Sequence, residues 1–233
     1  MRQRSTLPEM MDNPNLDVGL LKGALEDVSL VNKWLGGQNV TFEGLEYFFK
    51  NHKQATYTIV DLGCGDGEML RSIADYGRGE GIKLELVGMD LNEKSVALAR
   101  EKSAAFPEVT FEVQDILKLD SKTFKCDIIV CSLTLHHFED KEILGFLDCF
   151  GKLASLGSVI NDLHRSRIAY NLFYAFSNLF MNSYIARNDG LISIKRAFKR
   201  NELKSLADKV GISNYSLKWR WAFRYLWIIK NQT

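Results

Sequence analysis

The sequence has few cysteines, prolines and histidines. Of its 233 residues, 4 are cysteine, 3 are proline and 4 are histidine. The cysteines (Cys64, Cys126, Cys131 and Cys149) show no C-x-x-C spacing, which predicts reduced thiols in a cytoplasmic protein. Because histidine is scarce, the few histidines near a predicted ligand are the first candidates for proton transfer.

An excess of either charge is also absent. The chain has 30 basic and 29 acidic residues, a formal net charge of +1. Such a balance creates no broad electrostatic field, so we expect no nucleic-acid partner. The first eight residues lack the apolar core of a signal peptide, so we do not expect secretion.

One long stretch, 168–186, has no charged residue and is rich in aromatic side chains. Its length could nearly span a bilayer. However, asparagine recurs through it at Asn171, Asn178 and Asn182, and it follows the strands of a soluble sheet, so we expect no stable membrane insertion. We predict instead a helix that lines an acceptor pocket. Its aromatic content favours a flat or apolar acceptor.

The strongest motif lies at 57–73. A β-branched apolar run leads to Asp61, then glycine stands at positions 63, 65 and 67, and apolar residues follow at helical spacing. This pattern predicts a strand, a tight turn and a helix, which together make the first crossover of a parallel α/β sheet. Glycine lets the backbone approach a ligand and a helix start presents unpaired N–H groups, so we expect a ligand here.

The dinucleotide fingerprint G-x-G-x-x-G fails in this turn, because its third glycine would fall at Glu68. An acidic residue two positions before G-x-G-x-G instead resembles the first motif of class I S-adenosylmethionine-dependent methyltransferases. The resemblance covers about 57–229 and implies S-adenosyl-L-methionine as cofactor. It also implies an α/β fold with a doubly wound, seven-stranded, mostly parallel sheet, the Rossmann-like methyltransferase fold.

Later strands supply further candidates for the cofactor site. Asp90 ends the predicted second strand, where a carboxylate can accept hydrogen bonds from ribose hydroxyls. In the resembled family an acidic residue after the third strand contacts the adenine amine, a role that falls here to Asp115. Alternatively, Asp90 is an acidic residue that stabilises the start of the next helix, and Asp115 is a residue that forms a turn. The full predicted set is Asp61, Gly63, Cys64, Gly65, Asp90, Leu91, Asp115, Ile116, Cys131 and Ser132.

We predict one methyltransferase domain in four parts. Residues 1–52 form an arm and a helical cap, 53–163 the cofactor-binding core, 164–212 a helical insertion or lid, and 213–233 a closing hairpin whose last strand is antiparallel to the rest. The predicted helix N-caps are Thr41, Asn92 and Asn201. The two N-terminal helices either cover the cofactor, as in many members of the resembled class, or simply pack on the sheet.

The catalytic candidates are histidines. Methyl transfer from a sulfonium is an in-line displacement that mainly requires alignment, and a base helps when the acceptor is a hydroxyl. His136 and His137 follow the fourth predicted strand and His164 follows the fifth, which places all three near the crevice. A structural role is the alternative for each, and the reaction can proceed without a base. Asn161 and Asp162 point to opposite faces of a strand, so we predict no metal site.

The sequence therefore predicts an enzyme that methylates oxygen or carbon of an aromatic or apolar small molecule, such as a polyketide, phenol or quinone. A catalytically silent cofactor-binding partner protein is one alternative. A nicotinamide-dependent oxidoreductase is another, disfavoured by Glu68 and by the lack of a Tyr-x-x-x-Lys pair. The sequence Ser-Leu-Thr-Leu at 132–135 replaces the N/D-P-P-aromatic segment of adenine-N6 methyltransferases, which disfavours methylation of nucleic acid.

Overall fold

Seven strands form the central sheet of the computed structural model, which describes residues 1–119 and 124–231. In chain order the strands are β1 (Tyr57–Leu62), β2 (Leu84–Asp90), β3 (Val109–Val113), β4 (Cys126–Ser132), β5 (Ala154–Leu163), β6 (Tyr215–Arg220) and β7 (Arg224–Lys230). The spatial order is β3-β2-β1-β4-β5-β7-β6. β7 runs antiparallel to the other six strands, which are parallel to one another. The predicted fold and the closing hairpin are confirmed.

Helices cover both faces of the sheet. They are α1 (Val18–Trp34), α2 (Gly37–Asn51), α3 (Glu68–Glu80), α4 (Glu93–Lys102), α5 (Asp140–Leu153), α6 (Arg167–Phe180), α7 (Tyr184–Arg196) and α8 (Arg200–Lys209). Apolar residues of α2, α3 and α4 pack on one face, and those of α5 and α8 pack on the other. Successive residues of β1, such as Ile59 and Val60, therefore enter different cores, which explains the continuous apolar run of this parallel strand.

The strand order reverses between β1 and β4, which both lie at the centre of the sheet. Ligands of doubly wound sheets bind beyond the carboxyl ends of the strands at such a switch point. A third apolar cluster, built from α1, α7 and the residue that follows α6, includes Val31, Met181 and Ile185. It encloses the space beyond this sheet edge together with the N-terminal arm.

Two predicted helix caps are wrong, and one is confirmed. Helix α2 begins at Gly37, because Gly36 adopts a left-handed conformation (φ 71°) and lets the chain turn sharply out of α1. Thr41 is therefore buried inside α2, where its hydroxyl accepts from Asn161 Nδ2 at 3.0 Å. Helix α8 begins one residue before Asn201, after Lys199, whose backbone N–H donates to Glu202 Oε2 at 2.8 Å. The side chain of Asn92 caps α4 as predicted.

The cysteines form no disulfide among the described residues. No helix in that part of the chain is long and apolar enough to cross a bilayer. The stretch 168–186 instead divides into α6 and the start of α7.

Candidate active site

The glycine turn lies between β1 and α3, where Gly67 precedes the helix. Gly63 and Gly65 adopt left-handed conformations, with φ of 76° and 54°. A Cβ on Gly63 would lie 2.4 Å from the side chain of Thr134, whereas a Cβ on Gly65 would meet only Leu25, at 3.5 Å. Packing therefore requires glycine at position 63, while Gly65 faces the cavity at the end of the sheet.

Alanine substitutions should separate these two requirements. We expect Gly65→Ala to cost about 1–2 kcal/mol for its left-handed backbone and to weaken S-adenosylhomocysteine binding, because the new methyl group enters the cavity. Gly63→Ala should destabilise further, since overpacking adds about 1–3 kcal/mol. Urea unfolding and the ligand-induced thermal shift measure both effects. Gly79→Ala, where a Cβ meets nothing within 4 Å, is the control. An unchanged shift in Gly65→Ala would contradict this assignment.

Three carboxylates gather beside the turn. Asp61 is only 2% exposed at the end of β1, and no described residue donates a hydrogen bond to its side chain. Burial, together with the nearby charges of Asp90 and Glu68, raises the pKa of Asp61 to about 7. These carboxylates therefore favour a cationic ligand, which would relieve the repulsion among them. They would repel a pyrophosphate.

Asp90 is held in a fixed orientation at the end of β2. Its Oδ2 accepts from Gly65 N at 2.9 Å, and its Oδ1 accepts from Asn92 N at 2.9 Å. Burial raises the pKa of Asp90, and these two hydrogen bonds oppose the shift. Each oxygen keeps a second lone pair that can accept from a ligand hydroxyl.

The cavity beside these carboxylates has a volume of about 520 Å³. Its lining includes eight of the predicted cofactor residues, namely Asp61, Gly63, Cys64, Gly65, Asp90, Leu91, Ile116 and Ser132. Cys131 lies instead in the core under α5, because adjacent residues of a strand face opposite sides. Asp115 does not line the cavity either. Its carboxylate pairs with Lys118 Nζ at 3.0 Å, which lowers its pKa.

A second cavity, of about 370 Å³, adjoins the first. Its lining is mostly apolar, with Phe173 and Phe176 of α6 on one side and Trp221 and Phe223 of the β6–β7 turn among the other walls. The helical insertion predicted from 168–186 therefore does contribute a wall. We call the two spaces the cofactor cavity and the acceptor cavity.

The two cavities meet at a common boundary. The residues that line both are Met11, Val28, Asn32, Leu133 and His137. Leu133 has a φ of 55°, an uncommon conformation for leucine. Strained backbone of this kind persists where the surrounding structure fixes it, and it clusters at active sites. A group transferred between the cavities would cross this boundary.

His136, His137 and His164 all line the acceptor cavity. His136 is buried, with Nδ1 2.8 Å from Asp162 Oδ1. Although burial opposes the charged form, Asp162 and Glu9 together raise the pKa of His136 to about 9. The sequence-based expectation that Asp162 points away from Asn161 is confirmed, since Asn161 donates to α2 on the opposite face.

His137 lies beside the cofactor cavity as well. Its Nδ1 is 3.2 Å from Asp12 Oδ1, and its Nε2 is 3.6 Å from Glu9 Oε2. His164 differs, because Trp219 Nε1 donates to its Nδ1 at 3.3 Å. Burial and the nearby charges of Lys199 and Arg165 lower the pKa of His164.

The N-terminal arm and α7 hold the histidine segment in place. Arg4 Nη2 donates to the carbonyl oxygens of His136 and Phe138, at 3.1 and 2.8 Å. Arg196 Nε donates to His136 O at 3.1 Å. The arm is itself anchored on α7, where the Asp189 carboxylate accepts from two backbone N–H groups of the arm. The predicted N-terminal arm thus borders the candidate site.

One group of side chains could hold a metal ion. Ligand-type atoms of Glu9, His136 and His137 lie within 4.8 Å of one another. Two imidazoles and a carboxylate form a ligand set that zinc uses in proteins. The expectation of no metal site, drawn from 161–162 alone, did not consider these three residues and stays untested.

The sequence pattern does not reveal two kinds of residue at the candidate site. Glu9 and Asp12 stand more than 120 positions before the histidines they approach, and nothing in the arm's pattern links them. Arg224 falls within the predicted closing hairpin, 213–233, and it lines the acceptor cavity. One signal in the sequence could have identified Arg224, because this basic residue directly precedes the apolar run 225–229.

Comparisons with known proteins agree with this geometry. Residues 59–155 match a family model described as a methyltransferase domain. A protein of Geobacillus sp. (strain WCH70) with a provisional methyltransferase name is 28% identical over 145 residues, covering 60% of this chain and 53% of that protein. The chain therefore spans about half the length of that relative. A small RNA 2′-O-methyltransferase of Arabidopsis thaliana is 27% identical over 111 residues, covering 44% and 12%.

A solved structure resembles the whole chain. The plantazolicin methyltransferase BpumL, in complex with SAH, superposes with a TM-score of 0.68 at 16% identity, covering 92% of this chain and 95% of that one. At this identity the likeness concerns the fold. The matched residues show a methyltransferase domain, and together with the fold they support a class I S-adenosylmethionine-dependent methyltransferase. S-adenosyl-L-methionine is the cofactor of this class.

Proposed function

We propose that this protein transfers a methyl group from S-adenosyl-L-methionine to an oxygen or carbon of an aromatic or apolar small molecule, of the polyketide, phenol or quinone type. One observation carries the proposal. A cavity bordered by strand-end carboxylates and a glycine turn adjoins a mostly apolar cavity, and His137 borders both.

The bound cofactor supplies a methyl group on a positively charged sulfonium. Asp61 binds the cationic amino end, because its buried carboxylate has no other partner among the described side chains. Asp90 accepts from the ribose hydroxyls with the lone pairs that its two backbone contacts leave free. Leu91 and Ile116 pack on the adenine. Asp115, paired with Lys118 outside the cavity lining, is omitted from this set.

His137 is the proposed catalytic base. Asp12 beside Nδ1 favours the tautomer with the proton on Nδ1, which leaves the Nε2 lone pair available. The distance of 3.6 Å from Nε2 to Glu9 is too long for a hydrogen bond. Nε2 can therefore take a proton from an acceptor hydroxyl as its oxygen attacks the methyl group. A carbon acceptor would lose its proton in the same way.

His136 and His164 have lesser roles in this proposal. His136, held protonated at neutral pH by Asp162 and Glu9, is a positioning residue whose ring lies 4.5 Å from the ring of His137. His164 accepts from Trp219 at Nδ1, so its proton is on Nε2 and it presents a donor to the acceptor cavity.

The proposed acceptor is not a nucleic acid, and the proposed location is the cytoplasm. The balanced net charge supports the first point, as does an acceptor cavity with walls that are mostly apolar. Nucleic-acid sites need basic surfaces for phosphate contacts. The absence of disulfides among the described residues supports the second.

A thermal-shift experiment followed by a transfer assay tests the function. S-adenosylhomocysteine should raise the melting temperature by an amount that grows with the logarithm of ligand concentration over Kd, while NAD should leave it unchanged. Mass spectrometry should then detect a gain of one methyl group in members of a phenol, quinone and polyketide panel. Stabilisation by NAD alone would support the oxidoreductase alternative. Cofactor binding without transfer to any panel member would support the silent partner.

A further inference from the structure

Arg224 places a guanidinium group inside the protein, and no carboxylate in the described part of the chain forms an ion pair with it. The residue begins β7, where it pairs with Leu163 of β5, and its side chain lines the acceptor cavity. It is only 3% exposed. Its Nε and Nη1 atoms find no hydrogen-bond partner in the described part of the chain. A buried charge without hydrogen bonds is costly, so this arrangement calls for a compensating group.

A second buried arginine, Arg165, shows how a buried guanidinium in this chain is paired with a carboxylate. Arg165, also nearly fully buried, uses both terminal nitrogens. Its Nη1 donates to Glu202 Oε2 at 2.9 Å, and its Nη2 donates to the other oxygen of Glu202. For Arg224, Asp162 is the only acidic group among the described residues whose charge offsets the cost of burial, and it makes no direct contact. Arg224, a residue of the cavity lining, therefore keeps guanidinium donors that no described residue uses.

The start of α2 adds positive potential at the same place. A Cβ on Gly37, the first residue of this 15-residue helix, would lie 2.8 Å from Arg224 Cζ and 2.9 Å from Nη2, so the guanidinium packs directly on the helix terminus. No side chain caps this end, and the first N–H groups of a helix carry a partial positive charge. The nearby Asn32 Oδ1 is neutral and also unpartnered.

We propose that Arg224 and the N-terminus of α2 form an anion subsite in the acceptor cavity, which binds an acidic oxygen group, a carboxylate or a phenolate, on an otherwise apolar acceptor. The apolar walls receive the body of the molecule. The guanidinium fork matches the geometry of paired oxygens. Naming the ligand as the methyl acceptor rests on the proposed function, but anion binding at this site does not.

Matched aromatic probes test the subsite directly. 2-Naphthoate and 2-naphthamide have the same ring system and differ in charge. Wild-type protein should bind naphthoate at least about tenfold more tightly, as expected for a charge-assisted pair. Arg224→Gln should remove this preference, and Arg224→Lys should retain part of it. 4-Nitrophenol, measured below and above its own ionisation, shows whether a phenolate is accepted as well as a carboxylate.

Controls separate the subsite from a structural role. Arg78→Gln, at an exposed pair with Glu108 far from both cavities, should keep the full preference. The melting temperature of Arg224→Gln should not fall, because the removed charge has no partner, and Arg224→Met provides a second uncharged variant of similar length. Equal affinity of wild type for both naphthalenes would overturn the proposal, and so would a preference that persists in both variants. If S-adenosylhomocysteine fails to bind while the preference stands, the proposed function fails and the subsite survives.

Discussion

Replacement of His137 by glutamine is expected to lower kcat for methyl transfer by about 10²–10⁴-fold, the usual loss when a general base is removed. Glutamine keeps most of the bulk and can still hydrogen-bond to Asp12, but it cannot take a proton at neutral pH. The KM for S-adenosyl-L-methionine should change little, because the carboxylates proposed to bind the cofactor are unaltered.

The best acceptor of the panel serves for this measurement, with initial rates followed by mass spectrometry. His52→Gln is the matched control, since His52 follows α2 and borders neither cavity. Its kcat should equal that of wild type. A His137 variant with kcat within about threefold of wild type would exclude a base at this position, because general-base removal costs far more.

The same assay distinguishes the three histidine candidates. His164→Gln should lower kcat less than His137→Gln, because a histidine that accepts from Trp219 at Nδ1 already carries its proton on Nε2. His136→Gln should act indirectly, by loosening the ring that packs on His137. Its effect should therefore include a shift in the pH profile rather than a loss of rate alone.

The sequence predicted the sheet and one half of the site for a simple reason. In a parallel sheet the carboxyl ends of neighbouring strands meet at one edge, so Asp61 and Asp90 must lie close together once β1 and β2 are recognised. The glycine turn was also predictable, because its glycines adopt left-handed conformations that other residues rarely take. The same pattern could not show which of Cys131 and Ser132 faces the cavity, because one-residue alternation leaves both registers open.

The other half of the site depends on contacts between distant segments. The arm brings Glu9 and Asp12 to His136 and His137 only because α7 holds the arm, through Asp189. No local periodicity encodes such a contact. The predicted cap at Thr41 failed for a related reason, since the buried amide of Asn161 makes a polar residue acceptable in the middle of a helix.

Asp61→Asn is expected to weaken binding of S-adenosyl-L-methionine by about tenfold to a hundredfold, because a hydrogen bond to a charged group contributes about 1.5–3 kcal/mol. The same change should stabilise the ligand-free protein. Without a cofactor, Asp61 is a buried carboxylate repelled by Asp90 and Glu68, and asparagine has the same shape without the charge. Stability and binding should therefore move in opposite directions.

The expected effect of Asp61→Asn on stability depends on pH. The pKa of Asp61 is about 7 in the folded protein and 3.8 ordinarily. A raised pKa means that the stability due to this group is present in full below pH 3.8 and is lost as the pH rises through about 7. The gain from Asp61→Asn should thus be absent at low pH and largest near pH 8. Cofactor binding to wild type should strengthen over the same interval, because Asp61 must ionise to bind a cation.

Calorimetry can follow both effects in one set of samples. Titration of wild type at pH 6.5 in buffers of different ionisation enthalpy should show a proton released on cofactor binding, as the bound cation lowers the pKa of Asp61. Asp61→Asn should release none, whereas Asp75→Asn, an exposed position on α3, should behave as wild type. An Asp61 variant that binds within about twofold of wild type would show that this carboxylate does not bind the cofactor. A variant that melts below wild type at pH 8 would show that the carboxylate does not destabilise the free protein.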